Sequence, residues 1–500
     1  MNREYRHKIS FLGTSKYYLF SSPENNFENE IVDFSCSKNA NLYCVLMEKN
    51  SLYHLIVFID GIGYKDWNIY FPVSDIHWIN LNICLILEDS FILFNPLNSS
   101  YTINNLPLFH IYKIIYINSK IFIYSTFSEM NSECSVRMYN FYTKKDFLIC
   151  KISSYGLTSD IQFLSLTDEQ IKAIKKFIAF LPTYGKCHYV GLINNQKIVL
   201  EYKRLNTQIL VNGITKWTVP GFIHAADIFK NCLVVLWSHL IKEPELRLLK
   251  INSKVYEFPK NSLVIAYRVD SETSQFFYFI EACRSSVTFL FLHGGPTGQF
   301  INQYSSIYAH LHKKNFNVLL LNYMGSSGYT SNYQKSLVGN GGRLDIELIK
   351  KFIKNYLRNN KSKQIIVVGE SYGGYLSVLL AKKFKNEQRI SFISISGFVD
   401  VRYQYLFSPA RNVVQSYLLN DYENNKFNID PAQMEYKDIS NLSFIHGEND
   451  AYCSINQIKN FCRKNNFKLS IIKDLNHVLM TSNNKKSITH LLLKEINYNE

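Results

Sequence analysis

From about residue 28 to 255 the apolar positions come in short runs broken by turn residues. Leu42 to Leu46 leads into Leu52 to Ile59, and Asp60-Gly61-Ile62-Gly63 turns the chain back into Trp67 to Tyr70, the pattern of consecutive antiparallel strands. Similar pairs follow at Ile83 to Leu87 with Phe91 to Phe94, Ile114 to Ile117 with Ile121 to Tyr124, and Tyr189 to Ile193 with Ile198 to Tyr202, then Leu233 to Trp237. Short strands recurring at roughly 40–45 residues, four to a repeat, are the trace of β-propeller blades, here too degenerate to count. One stretch breaks the pattern. Thr167-Asp168-Glu169-Gln170 has the form of a capping box, and Ile171, Ile174, Phe177, Ile178 and Leu181 share one helical face before Pro182, so a packed surface helix is expected there.

After about residue 260 the rhythm becomes strand then helix. Val287 to Leu292, Asn317 to Leu321, Gln364 to Val368, Ile390 to Ile395 and Leu442 to Ile445 are continuous apolar runs, as strands covered on both faces require. Helical patterns lie between them at Leu344 to Leu357, Tyr375 to Phe384 and Ile455 to Phe461. Such alternation predicts a doubly wound, mostly parallel sheet with a site at the carboxyl ends of its strands. Two units follow: an all-β unit at 1–257 and an α/β unit at 258–500.

Composition adjusts this picture modestly. Five hundred residues would allow about three domains at roughly 150 residues each, and the two unequal units account for them. A hydrophobic share of 47% with 19% charged excludes wholesale disorder, collagen and coiled coil. The 35 Tyr, 35 Phe and 4 Trp suit pleated, half-buried surfaces and agree with a strand-rich half. The net charge of +15 is scattered over single and paired lysines with no nucleic-acid-binding signature, so it reads as a solvated surface and not as a nucleic-acid site. The ten cysteines form no CxxC pair and no metal-ligand cluster, which points to free thiols in a reducing compartment and to no metal. Met1 to Ser22 lacks the apolar core of a secretory signal, and no stretch has the roughly 18 apolar residues of a spanning helix, so a cytoplasmic protein without a membrane contact is expected.

The candidate chemistry sits in the second unit. After the strand at Ile365 to Val368 comes Gly369-Glu370-Ser371-Tyr372-Gly373-Gly374-Tyr375 and then a helix. A GxSxG turn between strand and helix needs small residues beside the serine and projects its Oγ away from the sheet, with helix amides behind it for an oxyanion. A serine hydroxyl becomes a nucleophile only when a histidine takes its proton and a carboxylate orients that histidine. The expected chain order is Ser, acid, His. Asp450 lies in His446-Gly447-Glu448-Asn449-Asp450 after a strand, and His477 follows the strand Leu469 to Ile472. Glu448 is a rival for the acid, Asp474 is too near His477 in the chain to reach it from a separate loop, and His446 reads as a strand-end packing residue. Upstream, the first strand-loop of the unit reads His293-Gly294-Gly295-Pro296, a glycine pair of the kind that supplies a second oxyanion N–H after the third strand of HGGG-type hydrolases.

Together HGGPTGQ at 293–299, NYMGSSGY at 322–329, GESYGGY at 369–375, HGEND at 446–450 and His477 resemble the prolyl oligopeptidase family of serine peptidases, in particular its acylaminoacyl-peptidase-like branch. The motifs cover roughly the last half of the chain. The resemblance implies an α/β-hydrolase domain capped by a β-propeller that restricts the site to short peptides. It also implies Ser371 as nucleophile, Asp450 and His477 as its partners, and the Tyr372 and Gly295 N–H groups as oxyanion hole. No cofactor is implied. Three positions depart from the family pattern: Met324 stands where an arginine is usual, Leu348 replaces the second of two acids after Gly341-Gly342-Arg343-Leu344-Asp345, and Asn476 replaces a glycine before the histidine. Asparagine tolerates left-handed backbone, so that loop is expected to form. No residues for the bond preference can be assigned beyond a candidate stretch at Val399 to Leu406, and oligomeric state, a homo-oligomer included, is open. The other readings are an esterase or an acyl-transfer or cyclising enzyme using the same triad, and a binding protein with an inactive hydrolase.

Overall fold

The computed structural model describes the strands between residues 30 and 157, residues 167 and 170, residues 187–250 and 265–477 with short gaps, and the helix at 485–494. The chain divides into two compact units, Met1–Pro259 and Lys260–Glu500.

The first unit is all-β. Among its described residues five antiparallel sheets follow one another along the chain, each a meander of sequence neighbours, with first strands Glu30–Cys36, Asp75–Ile79, Ile111–Ile117, Cys187–Ile193 and Phe222–Phe229. Local chemistry sets the hairpins: Asn194-Asn195 and Asn212-Gly213 all have positive φ, the backbone that two-residue hairpin turns demand. Alternate burial along Ile214–Pro220, where Trp217 and Val219 face in, fixes the register of its sheet. Glu30–Cys36 lies beside Asp75–Ile79 on one side and beside Phe222–Phe229 on the other. On the first side the Trp78 indole donates to the Ser35 carbonyl at 3.0 Å. On the second, Phe34, Val45, Met47 and Ile56 share a core with Leu236 and Leu246. The fifth sheet therefore packs back on the first. Of the expected helix after residue 167 only the cap is described, and it is the reciprocal one: Thr167 N–H donates to Gln170 Oε1 at 3.0 Å and Gln170 N–H to Thr167 Oγ1 at 3.4 Å. Residues 171–181 lie outside the described residues, as does the N-terminal stretch 1–22.

The second unit is α/β. Its strands are β1 (Ile265–Val269), β2 (Phe276–Ile280), β3 (Val287–Leu292), β4 (Asn317–Asn322), β5 (Gln364–Glu370), β6 (Ile390–Ile395), β7 (Leu442–Gly447) and β8 (Lys468–Ile472). They form one sheet in the order β1-β2-β4-β3-β5-β6-β7-β8. β1, β2 and β4 pair antiparallel, and every pair from β4 to β8 is parallel. This mixed sheet is that of an α/β-hydrolase, and the antiparallel β1–β2 hairpin is an addition to the strands read from the sequence. The helices are α1 (Ser306–Lys313), α2 (Ser331–Lys335), α3 (Leu344–Asn359), α4 (Tyr372–Lys383), α5 (Val401–Phe407), α6 (Arg411–Tyr417), α7 (Tyr422–Ile429), α8 (Ile455–Asn465) and α9 (Lys485–Lys494). Central β5 is buried from Ile365 to Gly369, and α4 against it is buried from Tyr372 to Ala381, so neither shows a polar face. α4 begins three residues before the helix expected at Tyr375, which brings its first turn directly onto the serine. No described helix is long and apolar enough to cross a membrane.

Candidate active site

Ser371 is the N-cap of α4 with φ 54° and ψ −117°, a backbone that L-residues rarely adopt. The strain is held by contacts on both sides of it. A Cβ on Gly369 would fall 1.9 Å from the Gly373 carbonyl oxygen, and one on Gly373 would fall 2.2 Å from that of Leu292. The Ser371 N–H donates to the Ile395 carbonyl at 2.9 Å, fastening the turn to β6. Only glycine at both flanking positions lets strand, turn and helix approach this closely.

Three expected residues come together here. Ser371 Oγ lies 3.0 Å from His477 Nε2, and His477 Nδ1 lies 3.0 and 2.9 Å from the two oxygens of Asp450. With Nδ1–H donating to the carboxylate, Nε2 is left as the acceptor of the serine proton. Asp450 is buried, and its Oδ1 also accepts the Tyr452 and Cys453 N–H groups at 3.0 and 2.8 Å. Burial pushes this carboxyl up, but the hydrogen bond and charge of His477, with the Cys453 amide, bring it below the ordinary carboxylate range. Glu448, the rival acid, is exposed. Asp474 lies outside the described residues.

The histidine loop is pinned to the aspartate loop. Asn449 N–H donates to the Leu475 carbonyl and Glu448 N–H to that of Ile472, both at 2.9 Å. A Cβ on Gly447 would sit 2.6 Å from the carbonyl oxygens of Leu475 and Asn476, so this glycine is what allows the two loops to meet. Asn476 is not among the asparagines with positive φ, so the loop forms without the left-handed backbone expected there. His446 is fully buried at the end of β7, as a packing histidine would be. Its Nε2 nevertheless approaches Cys453 O at 2.7 Å and Asp450 Oδ2 at 3.4 Å, and burial lowers its pKa, so it is a neutral second imidazole against the carboxylate.

Two backbone segments also converge on the serine. The missing Cβ of Gly294 would lie 3.1 Å from Ser371 Cβ and 3.6 Å from its Oγ, which sets the His293-Gly294-Gly295 loop against the nucleophile position. Gly295 has φ 124°, open only to glycine at low cost. His293 anchors the loop: it is buried, stacks on Tyr323 at 4.2 Å, and places Nε2 2.7 Å from Ser326 Oγ, while burial lowers its pKa to about 4. Tyr372 opens α4, where the first amides of a helix have no intrahelical acceptor. Beside the aspartate loop stands α5, from the candidate stretch for bond preference. Gln404 Nε2 donates to Tyr452 O at 2.7 Å and Tyr403 OH contacts Ser454 Oγ at 3.4 Å. Among the described residues no cluster of His, Cys, Asp and Glu could hold a metal.

Residues 302–495 match the model of the prolyl oligopeptidase family. They are a prolyl oligopeptidase family domain. The N-terminal boundary of that match falls between β3 and β4, so the Gly294-Gly295 loop precedes it. The domain is similar to the acylamino-acid-releasing enzyme of Mus musculus, 29% identical over 119 residues that are 22% of this chain and 16% of that protein. The match thus spans about a sixth of the relative's length. In fold the whole chain is similar to the acylaminoacyl peptidase of Pyrococcus horikoshii, with TM-score 0.63 and 13% identity over 94% of this chain and 95% of that one. An acylaminoacyl peptidase in complex with Z-Gly-Gly-Phe-chloromethyl ketone is equally similar, with TM-score 0.63 and 13% identity over 95% and 96% of the two chains.

Proposed function

We propose that this chain is a serine peptidase cleaving short peptides through Ser371, His477 and Asp450. The observation that carries the reading is the continuous relay from Ser371 Oγ through both nitrogens of His477 to both oxygens of Asp450. Ser371 attacks the scissile carbonyl while His477 Nε2 takes its proton. Asp450 keeps the proton on Nδ1 and stabilises the imidazolium. The tetrahedral oxyanion is received by the Tyr372 and Gly295 N–H groups. Collapse expels the amine, which takes the proton from Nε2 and leaves an acyl-Ser371. Water, deprotonated by His477, then releases the acid and restores the serine.

The family domain supports the peptidase class, and the neighbour bound to a tripeptide-derived chloromethyl ketone supports a short peptide as ligand. The first unit is read as a propeller that limits access to short or unstructured peptides, its five described sheets returning on themselves as blades do. The buried thiols of Cys453 and Cys462, in no disulfide, support a reducing compartment, hence the cytoplasm. The test is a peptide-library digest read by mass spectrometry with Ser371→Ala as the blank. Products whose summed mass exceeds the substrate by one water support hydrolysis, and products without that water would replace it with acyl transfer or cyclisation.

A further inference from the structure

Next to the Ser371 turn, the phenols of Tyr372 and Tyr375 are both enclosed by one loop. A Cβ on Gly341 would sit 2.7 Å from the Tyr372 OH, and one on Gly342 would sit 2.3 Å from the Tyr375 OH. Gly342 has φ 72°, so a side chain there is excluded by backbone as well as by space. The loop then delivers Asp345, the second residue of α3, into the same place. Its carboxylate is fully buried, with Oδ2 accepting from the Tyr372 OH at 2.7 Å and Oδ1 from the Ile346 N–H at 2.8 Å.

A buried carboxylate is ordinarily paired with a cation, because an unpaired charge in the core is costly. The ionisable groups that face Asp345 are instead phenols: Tyr372 and Tyr375 from α4 and Tyr323 after β4. Among the described residues no cation lies within 4 Å of it, and Arg343 in the same loop turns its guanidinium to Gly339 O and Asn340. Burial pushes each of these phenols well above its ordinary range, so each stays protonated, and Tyr372 can only donate. Retaining such a charge makes sense where its hydrogen bond fixes something that matters. Tyr372 is the residue whose N–H is aimed at the oxyanion, one bond from the strained serine.

We propose that Asp345 is a positioning residue of the oxyanion hole, its carboxylate gripping the Tyr372 phenol so that the first turn of α4 and the Tyr372 N–H are held in place. This rests on the serine-peptidase reading. A preorganised donor is what such a hole requires, and a small displacement of it is costly to the rate. Burial also raises Asp345 to about 6, so the charged acceptor is lost just below neutrality, and the acid limb of the rate should then include a proton taken up by Asp345.

The experiment compares the full chain with Asp345→Asn, Tyr372→Phe and the double variant on an N-acetyl dipeptide p-nitroanilide from pH 5 to 9, with rates normalised to active sites titrated by a fluorophosphonate. Each single variant is expected to lose about 10- to 100-fold in kcat with KM within about two-fold. The double variant should be no worse than the singles, because both remove one bond. The acid limb should become shallower by one proton in Asp345→Asn, and that variant should melt no lower than wild type at pH 8, since it removes a buried charge. Full kcat per titrated site in Tyr372→Phe, which deletes only the hydroxyl, would overturn the proposal even if Asp345→Asn did not fold. If Ser371→Ala is inactive while both single variants keep full kcat, this inference alone fails; if Ser371→Ala keeps its activity, the serine reading itself fails.

Discussion

Gly373 stands so close to Leu292 that a Cβ on it would fall 2.2 Å from the Leu292 carbonyl oxygen. Leu292 is the last residue before the His293-Gly294-Gly295 loop, so this contact sets the distance between the Ser371 turn and the loop proposed to offer the second oxyanion donor. Gly373→Ala must push the two apart. The expected outcome is a loss of about 1–3 kcal/mol in stability, the range for overpacking a tight site, together with a fall in fluorophosphonate labelling of Ser371. Urea unfolding and labelling rates, measured on the same preparation, check both.

Asp450 accepts the single His477 Nδ1–H between its two oxygens and the N–H groups of two backbone amides. Replacing it with Asn offers His477 an amide that can impose the wrong tautomer. Asp450→Asn should lower kcat by about 10⁴-fold with KM little changed. Glu448 is exposed, and Glu448→Gln should stay within about two-fold of wild type. Steady-state kinetics on one amide substrate separates the two carboxylates.

Like Asp345 and Asp450, Asp430 is a buried carboxyl; it is bonded to the Val401 and Ala432 amides and to the Tyr422 phenol, and burial raises it to about 6. An acid whose folded pKa lies above its unfolded value, about 4, binds protons more tightly when folded. It therefore costs stability as pH rises from about 4 to about 6, and the full cost remains above that. Asp430→Asn removes this cost. The melting temperature of the variant minus that of wild type should be larger at pH 8 than at pH 5; an equal difference at both would contradict the shift.

Cys453 lies beside Asp450, fully enclosed, and burial holds its thiol well above the ordinary range. Cys462 is pushed up to about 12 by the same cause, whereas Cys283 is exposed. Thiolate is the reactive form. Brief iodoacetamide treatment of the native protein should modify Cys283 and spare Cys453 and Cys462, as read by peptide mass spectrometry, and activity should survive it.

Much of this was legible in the sequence where the signal is local. The runs at Val287–Leu292 and Ile390–Ile395 are continuous and apolar because both sheet faces are covered, and they became β3 and β6 with the same ends. The hairpin β1–β2 was not: Arg268 breaks the short β1 run, and β2 was passed over although Phe276–Ile280 is apolar throughout. The three helices between β6 and β7 were missed for a related reason. α7, Tyr422–Ile429, carries Glu-Asn-Asn-Lys and buries only Tyr422 and Ile429, so it has almost no amphipathic period to read. In the site, the glycine-flanked serine and the HGEND stretch show themselves through short-range constraints. The bond from Tyr372 to Asp345 spans 27 residues, and the approach of His446 to Asp450 depends on how β7 ends. The Gly341-Gly342 pair was the one available signal for the first, and its meaning appears only once the two phenols are seen against it.

The central claim is that Ser371 becomes acylated during peptide hydrolysis. Incubating the protein with an N-acetyl peptide ester, quenching in acid and digesting with pepsin would locate the acyl group by tandem mass spectrometry. The account predicts an acyl mass on Ser371 that accumulates in wild type, is absent in Ser371→Ala and decays with uptake of one oxygen from H₂¹⁸O into the released acid. Turnover of the ester by Ser371→Ala at the wild-type rate, with no acyl group on residue 371 in either protein, would contradict it.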